Sequence, residues 1–153
     1  MTAAKAGQAN KQEKNQTMKN TLKIKVYYAD TDAEGVVYYA NYLKWLEAGR
    51  TELIEQTGVG LKALREKENI VFPVKEIHCK YLGPAKLYDI VEIHTTIKSI
   101  TGATITFAQK VVSPAAAAQP EKLLCAAEIV LFAMHLKTFK PARLPKGLAN
   151  ISK

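Results

Sequence analysis

The chain of 153 residues has only two cysteines and no long apolar run. Cys79 and Cys125 stand in apolar, strand-like stretches without CxxC spacing or paired histidines, so no zinc site is indicated. Two free thiols fit a reducing compartment, with one disulfide as the alternative. No segment approaches the roughly 18 apolar residues that span a bilayer. The first residues lack the apolar centre of a signal peptide, so we expect a cytoplasmic protein.

Acidic residues are fewer than basic ones. The 22 lysines and arginines against 14 acidic residues give a formal net charge of +8. The basic residues are scattered, not clustered with aromatic residues or on one helix face, which argues against a nucleic-acid-binding protein. A basic surface also attracts phosphorylated small molecules. Two interpretations therefore stay open: a solvated basic surface and a direct role in binding phosphate groups.

Composition divides the chain into three regions. Residues 1–20 are polar and lack apolar periodicity, which predicts a disordered extension. Residues 21–140 carry the periodic apolar pattern of one folded domain. Residues 141–153 form a basic, proline-containing segment. The hydrophobic content of 48% is ample for a core without disulfide or metal.

Apolar periodicity predicts one long helix among strands. Alternation over residues 22–28 predicts a first strand. A helix is predicted over residues 42–56, with Asn41 as its N-cap and Gly58 just beyond its end. Four more strands are predicted, at 71–82, 87–99, 103–113 and 122–136. Short links favour antiparallel pairing, so the predicted fold class is α+β, a five-stranded antiparallel sheet wrapped around one helix.

An acidic loop precedes the helix. Asp30, Asp32 and Glu34 stand before Gly35, which adopts backbone conformations that strain other residues. The unpaired N–H groups at a helix start can stabilise an oxyanion, and a nearby carboxylate can act as nucleophile or general base. On spacing alone, turn capping by aspartate is the main alternative. A metal site is a weaker one, because the downstream glutamate of a calcium loop is missing.

The longer stretch Val26–Arg50 resembles the signature of the hotdog-fold acyl-CoA thioesterases. That signature, V-Y-Y-x-D-T-D-x-x-G-V-V-Y-H-x-x-Y followed by a helical Glu-x-x-Arg, is matched from Val26 to Tyr42 and again at Glu47 and Arg50. The group that the chain resembles most is the 4-hydroxybenzoyl-CoA thioesterase-like enzymes encoded with the Tol–Pal envelope system. The resemblance continues at residues 81–85, 102–107 and 144–146.

The resemblance implies a hotdog fold and hydrolysis of acyl-CoA, with short-chain or aromatic acyl groups, to the free acid and CoA, without metal or organic cofactor. It implies that Asp32 is the catalytic carboxylate and that the backbone N–H of Tyr39 polarises the thioester carbonyl. Similar enzymes often have histidine in place of Tyr39, which puts any role of an imidazole in doubt. The predicted substrate-binding residues are Gly35, Val37, Tyr38, Arg143 and Lys146.

Assembly follows from the same resemblance. Enzymes of this class join two sheets edge to edge, place the site at the dimer interface, and often form tetramers from two dimers. Closing a sheet edge also removes a pairing hazard. The expected partners are acyl-CoA, with acyl carrier protein as an alternative, and a second copy of the chain. Neither nucleic acid nor membrane is expected.

Several neighbouring residues have structural interpretations. Asp30 is expected to be a turn or strand-end residue, with a second catalytic acid as the alternative. Glu47 and Arg50 are expected to pair on one helix face, although another hotdog branch uses a helical carboxylate in catalysis. Three histidines without shared spacing are interpreted as strand residues: His78, His94 and His135. Four aromatic residues are interpreted as core or subunit contacts, with acyl-pocket lining as the alternative: Tyr38, Tyr39, Tyr42 and Trp45.

Two other functional classes stay open. The first is an acyl-CoA or acyl-carrier-protein binding module of the same fold that does not hydrolyse its ligand; the presence of Asp32 argues against it. The second is a hotdog dehydratase. Dehydratases of this fold resemble one another through a catalytic histidine, and residues 36–42 contain none.

Overall fold

A computed structural model gives the fold and describes residues 18–151. Its five long strands are β1 (Lys19–Lys25), β3 (Val74–Tyr81), β4 (Ile90–Thr101), β5 (Thr104–Ser113) and β6 (Lys122–Phe132). They form one antiparallel sheet in the order β1-β4-β5-β6-β3. Two short strands, β2 (Ile70–Val71) and β7 (Met134–His135), pair separately.

One long helix, α1 (Tyr39–Glu55), packs on the sheet and contacts β1, β4 and β5. The remaining helices are short: a 3-10 turn at Tyr28–Asp30, α2 (Leu61–Ala63) continuing as a π-helix at Leu64–Glu68, and α3 (Lys146–Ala149). The predicted α+β class, with five antiparallel strands around one helix, is confirmed. Within residues 18–151, no helix has the length and apolar character needed to cross a membrane.

The helix begins three residues earlier than predicted, and Asn41 is not its N-cap. Tyr38 occupies that position without a side-chain capping bond. The Asn41 side chain instead donates to the Asp30 carbonyl oxygen at 2.8 Å. At the other end, Gly58 has φ +81 and its N–H bonds Glu55 O at 3.0 Å, so the predicted helix-ending glycine is confirmed.

Two predicted strands are interrupted, and one boundary moves. The candidate 71–82 divides at Pro73, which has no N–H for a sheet ladder. The candidate 122–136 divides at Ala133, whose N–H bonds Ala103 O at 2.8 Å. Strand β1 begins at Lys19, two residues before the expected domain boundary. The rest of the predicted extension, residues 1–17, lies outside the described residues.

Helix α1 comes closest to the sheet at Gly49. A Cβ atom added there would stand 2.6 Å from Thr95 Oγ1 and 2.9 Å from Ile93 Cγ2. Beside this contact, Gln109 Nε2 donates to Leu46 O at 2.9 Å and to Thr95 Oγ1 at 2.8 Å. Thr95 and Gln109 are buried, so these bonds satisfy polar groups that water cannot reach. The close approach at Gly49 and the hydrogen bonds of Gln109 therefore fix the distance between α1 and the sheet.

The Gly49 contact predicts that Gly49→Ala destabilises the fold. The new methyl group would overlap side chains held by hydrogen bonds, which costs more than alanine gains as a helix former, so we expect a net loss of about 1–2 kcal/mol. Urea unfolding measures the change in the free energy of unfolding. The matched control is Gly60→Ala, whose Cβ would meet Ala63 Cβ at an ordinary 3.7 Å. Equal stability of the two variants would contradict the close approach.

Candidate active site

The predicted catalytic aspartate lies in a tight loop between the 3-10 turn and α1. Thr31 and Val37 form an isolated antiparallel bridge across this loop. Inside it, Asp32 N–H bonds Val36 O at 2.9 Å and Gly35 N–H bonds Asp32 O at 3.1 Å. Gly35 has φ +76, a conformation that favours glycine. The loop therefore has a defined shape and exposes Asp32 at its surface.

One oxygen of the Asp32 carboxylate is held by the loop. Oδ1 accepts the Glu34 N–H at 2.9 Å, which is the turn-capping bond expected of aspartate. No partner is found for Oδ2 within residues 18–151. The capping alternative and the catalytic prediction are thus compatible: one oxygen orients the group, and the other can accept a proton or attack a carbon.

The Asp30 main chain anchors the start of α1. Its carbonyl oxygen accepts the Tyr38 N–H at 2.9 Å and the Asn41 side chain at 2.8 Å. Its carboxylate accepts the Tyr27 N–H at 2.9 Å, which confirms the structural interpretation of Asp30. The N–H groups of Tyr39 and Ala40 find no acceptor in the part of the chain that the structure describes. These two donors, at the positive end of a 17-residue helix, can receive an anion.

An open depression of about 310 Å³ lies beside these donors. Its lining consists of apolar, aromatic and loop residues from α1, β3 and the segment after β3: Val37, Tyr39, Tyr42, Tyr81, Gly83 and Pro84. The Tyr81 hydroxyl donates to Tyr39 O at 3.0 Å, and the Tyr42 hydroxyl accepts the Ala85 N–H at 3.1 Å. Aromatic side chains therefore tie the helix start to the segment that follows β3.

Two tyrosine hydroxyls of the depression, those of Tyr42 and Tyr81, stay protonated at neutral pH. Burial is the main cause that raises the pKa of Tyr42 and of Tyr81. Outside the lining, a hydrogen bond with Tyr39 raises the pKa of Tyr38. A group whose pKa moves above its usual value near 10 holds its proton at neutral pH. The hydroxyls of Tyr42 and Tyr81 can therefore position a substrate but do not act as bases.

The structure brings five of the predicted site residues together at the start of α1: Asp32, Gly35, Val37, Tyr38 and Tyr39. Arg143 and Lys146 lie elsewhere in the same chain. Next to Lys146, a Cβ at Gly147 would stand 2.7 Å from Val59, a residue beyond the end of α1. The helix is about 25 Å long, which separates Lys146 from Asp32. Arg143 follows Ala142, whose N–H bonds Ala133 O just after β6, whereas Gly83 of the depression bonds Leu124 O near the start of that 11-residue strand.

The expected ion pair between Glu47 and Arg50 is wrong. Among residues 18–151, the two side chains do not approach within the 4.0 Å of a salt bridge. Glu47 instead accepts the Thr51 hydroxyl at 2.7 Å, and Arg50 donates to Gln109 at 2.9 Å. Spacing on a helix face allowed the pair, but burial directs Arg50 toward the sheet.

Three residues of the depression were not predicted as site residues: Tyr81, Gly83 and Pro84. The signal was present in residues 81–85, which belong to the resemblance. The histidines behave as strand residues, with His78 bonding Glu76 at 2.6 Å and His94 bonding Glu92 at 3.0 Å. In residues 18–151, no three His, Cys, Asp or Glu side chains gather into a group that could hold a metal ion.

Comparison with known proteins identifies the family. Residues 26–151 match the family described as the thioesterase-like superfamily. The chain belongs to the thioesterase-like superfamily. The chain is 36% identical over 125 residues to the acyl-CoA thioester hydrolase YbgC of Escherichia coli. The aligned region covers 82% of this chain and 89% of that protein. The chain is also 35% identical to acyl-CoA thioesterase YbgC of Helicobacter pylori over 128 residues, which are 82% and 93% of the two chains.

The fold comparison agrees with this membership. The structure of 4-hydroxybenzoyl-CoA thioesterase from Pseudomonas sp. strain CBS-3 superposes with a TM-score of 0.79 at 18% identity, covering 88% of this chain and 99% of that chain. At this identity the likeness concerns the fold alone. The predicted hotdog fold and the predicted thioesterase family are thereby confirmed for this superfamily member.

The Tyr42 hydrogen bond predicts that Tyr42→Phe loosens the site. Tyr42 and Ala85 are buried, so the substitution would leave the Ala85 N–H without an acceptor at a cost of about 1–3 kcal/mol. Thermal and urea unfolding measure the loss. Tyr88→Phe, which removes a hydroxyl from a residue 59% exposed, is the control and is expected to change stability little. Equal losses of stability in both variants would contradict a stabilising role for the bond between Ala85 N–H and the Tyr42 hydroxyl.

Proposed function

We propose that this superfamily member hydrolyses acyl-CoA thioesters to a free acid and CoA. One observation carries the proposal. At the junction between the loop and α1, the N–H groups of Tyr39 and Ala40 have no acceptor within residues 18–151, and only one oxygen of the Asp32 carboxylate is hydrogen-bonded. Thioester hydrolysis needs both: donors for the oxyanion and a base or nucleophile for the acyl carbon. The YbgC relatives, an acyl-CoA thioester hydrolase and an acyl-CoA thioesterase, support the same reaction class.

In this proposal the thioester carbonyl oxygen lies near the N–H of Tyr39, where charge develops as the carbonyl carbon becomes tetrahedral. Asp32 Oδ2 takes a proton from water, whose oxygen bonds the carbonyl carbon. The carbon–sulfur bond then breaks, and the departing thiolate of CoA takes that proton from Asp32. In the nucleophilic alternative, Asp32 bonds the carbon first and water hydrolyses the resulting anhydride. Both routes end in the same acid and CoA, and either leaves Asp32 as a carboxylate.

The acyl group would enter the depression beside Tyr39. Its aromatic lining suits short-chain or aromatic acyl groups, which pack against tyrosine rings. Because the Tyr39 N–H belongs to the main chain, replacement of the signature histidine by tyrosine keeps the oxyanion donor. Gly35, Val37 and Tyr38 are proposed to shape the entrance.

Asp32→Asn is expected to lower kcat by about 10²-fold or more, because asparagine can neither accept the proton nor attack the carbon. Release of free thiol from a panel of acyl-CoA substrates measures the rate. Asparagine can keep the Oδ1 bond to Glu34 N–H, so folding should be unchanged. Glu34→Gln is the matched control, an exposed carboxylate two residues away, with less than about threefold change expected. Near-wild-type turnover by folded Asp32→Asn protein would contradict the catalytic role of Asp32.

A dimer is proposed from the two free edges of the sheet. Strand β1 carries lysines at residues 19, 23 and 25, and edge lysines oppose strand pairing. Strand β3 is eight residues long and carries two lysines, but it also exposes three large apolar or aromatic side chains: Val74, Ile77 and Tyr81. An edge of this length with exposed apolar side chains favours pairing with another strand. Two chains joined at β3 would make one ten-stranded sheet, and two such dimers would make a tetramer.

Light scattering at micromolar concentration is therefore expected to give at least twice the chain mass of 16.9 kDa. Ile77→Glu places a charge at the proposed contact and is expected to shift the protein toward the monomer. Lys25→Glu is the matched control on the other edge and should leave the assembly unchanged. A monomeric wild-type protein that retains activity would rule out the dimer.

Arg143 and Lys146 are proposed to contact the phosphates of CoA. Because they lie far from Asp32 of the same chain, they would serve the site of a neighbouring copy.

Acyl carrier protein is proposed as an alternative carrier of the acyl group, and the cytoplasm as the location of the reaction. Association with the Tol–Pal system stays a prediction that rests on the sequence resemblance.

A further inference from the structure

A second cavity lies at the middle of α1, apart from the depression at the helix start. Its volume is about 250 Å³. Most of its wall is apolar, with Ile54, Ile70, Phe72 and Leu131 from four different elements or segments. Glu47 is its lining residue closest in sequence to Tyr39, and eight residues of helix correspond to about 12 Å. We call this cavity the Arg50 pocket, after its most buried charged residue.

Arg50 is only 5% exposed, yet one hydrogen bond is all that the described residues supply to it. Nη1 donates to Gln109 Oε1 at 2.9 Å. Nε and Nη2 find no acceptor in residues 18–151, and each keeps some solvent-accessible surface. Arg50 is one of the residues that line the pocket. A buried side chain with unused donors therefore forms part of a mostly apolar wall.

No salt bridge within 4.0 Å holds this guanidinium among residues 18–151. Burial lowers the pKa of Arg50 to about 10, so the side chain is still cationic at neutral pH. The Glu47 charge raises the pKa of Arg50, but the Glu47 carboxylate is bonded to Thr51. Arg65 adds a second, exposed cation at the wall. A buried cation without a salt-bridged anion is costly, and an anionic ligand that accepts its unused N–H groups would offset that cost.

We propose that the Arg50 pocket binds a small carboxylic acid with an apolar body, such as an aromatic or medium-chain monocarboxylate. The carboxylate accepts the free guanidinium N–H groups, which suit its planar geometry. The apolar body fills the space between α1 and the short strand β2. The cavity is smaller than the roughly 300 Å³ at which pockets for drug-sized ligands begin, which selects a small acid.

This site does not depend on the proposed reaction, although the acid released by that reaction belongs to the same ligand class. Bound acid would contact α1 eight or more residues from the proposed oxyanion donor. Binding measured directly on protein without turnover therefore separates the two proposals. Failure of hydrolysis and failure of carboxylate binding are independent results.

Calorimetric titration of the full-length protein with benzoate and with benzamide tests the proposal without any mutation. The two probes have nearly the same shape and differ in charge. Benzoate is expected to bind at least about tenfold more tightly, because only the anion pairs with Arg50. The Asp32→Asn variant is expected to bind benzoate as the wild type does. Equal binding of both probes, or loss of benzoate binding in folded Asp32→Asn protein, overturns the proposal.

Variants then locate the bound acid. Arg50→Gln is expected to weaken benzoate binding at least about tenfold, and Arg50→Lys, which keeps the charge, to weaken it less. Lys44→Gln makes the same change in charge on an exposed part of α1 outside the pocket and should leave binding unchanged. Val71→Phe fills the pocket without altering charge and is expected to block binding even if Arg50→Gln does not fold. Full benzoate affinity in folded Val71→Phe protein would place the acid elsewhere.

Discussion

The contact between Gly49 and the sheet is the constraint on which the rest of this structure depends. With hydrogen as its side chain, Gly49 lets α1 approach Thr95 and Ile93 more closely than any other residue would. The approach brings the Leu46 carbonyl within reach of Gln109. Helix height, helix rotation and the inward path of Arg50 all follow from that one contact. Both cavities described above border the helix that it positions.

The start of α1 is held in a way that leaves its donors free. An N-cap side chain would bond one of the first N–H groups of the helix and strengthen it by about 1 kcal/mol. Here the anchoring acceptor is the carbonyl of Asp30, which bonds the Tyr38 N–H and the Asn41 side chain. Tyr39 and Ala40 keep their N–H groups available. The chain gives up a common source of helix stability at the place where an oxyanion site needs unoccupied donors.

The buried polar set beneath α1 has a second consequence. Gln109 uses its amide fully, with two donated bonds and one accepted from Arg50. The guanidinium is thereby fixed in a dry position but only partly satisfied. The proposed site joins two roles in Arg50: the bond to Gln109 supports helix packing, and the unused donors are proposed to bind a ligand in the pocket that Arg50 lines.

The sequence alone determined much of the architecture and one end of the site. Apolar periodicity was enough to predict the long strands and the long helix. One face of each element must be buried, and apolar residues repeat at different intervals in strands and in helices. Asp32, Gly35 and the following helix start were found because they are consecutive in the chain, and local hydrogen bonds shape such a loop. Asn41 was misjudged as a cap, since its actual acceptor, Asp30 O, is eleven residues away and lies across a folded turn.

Only the tertiary structure decided what depends on contacts between distant residues. Strand β3 could have paired with its neighbour β4, but it lies beside β6, and this order leaves β3 as a free edge that exposes Val74, Ile77 and Tyr81. Arg50 had a plausible partner three residues away, yet burial beside Gln109, fifty-nine residues later, removed it from Glu47. Helical spacing describes which side chains share a face. It does not describe what the opposing sheet presents to that face, and this determines which charges are satisfied and which are left for a ligand.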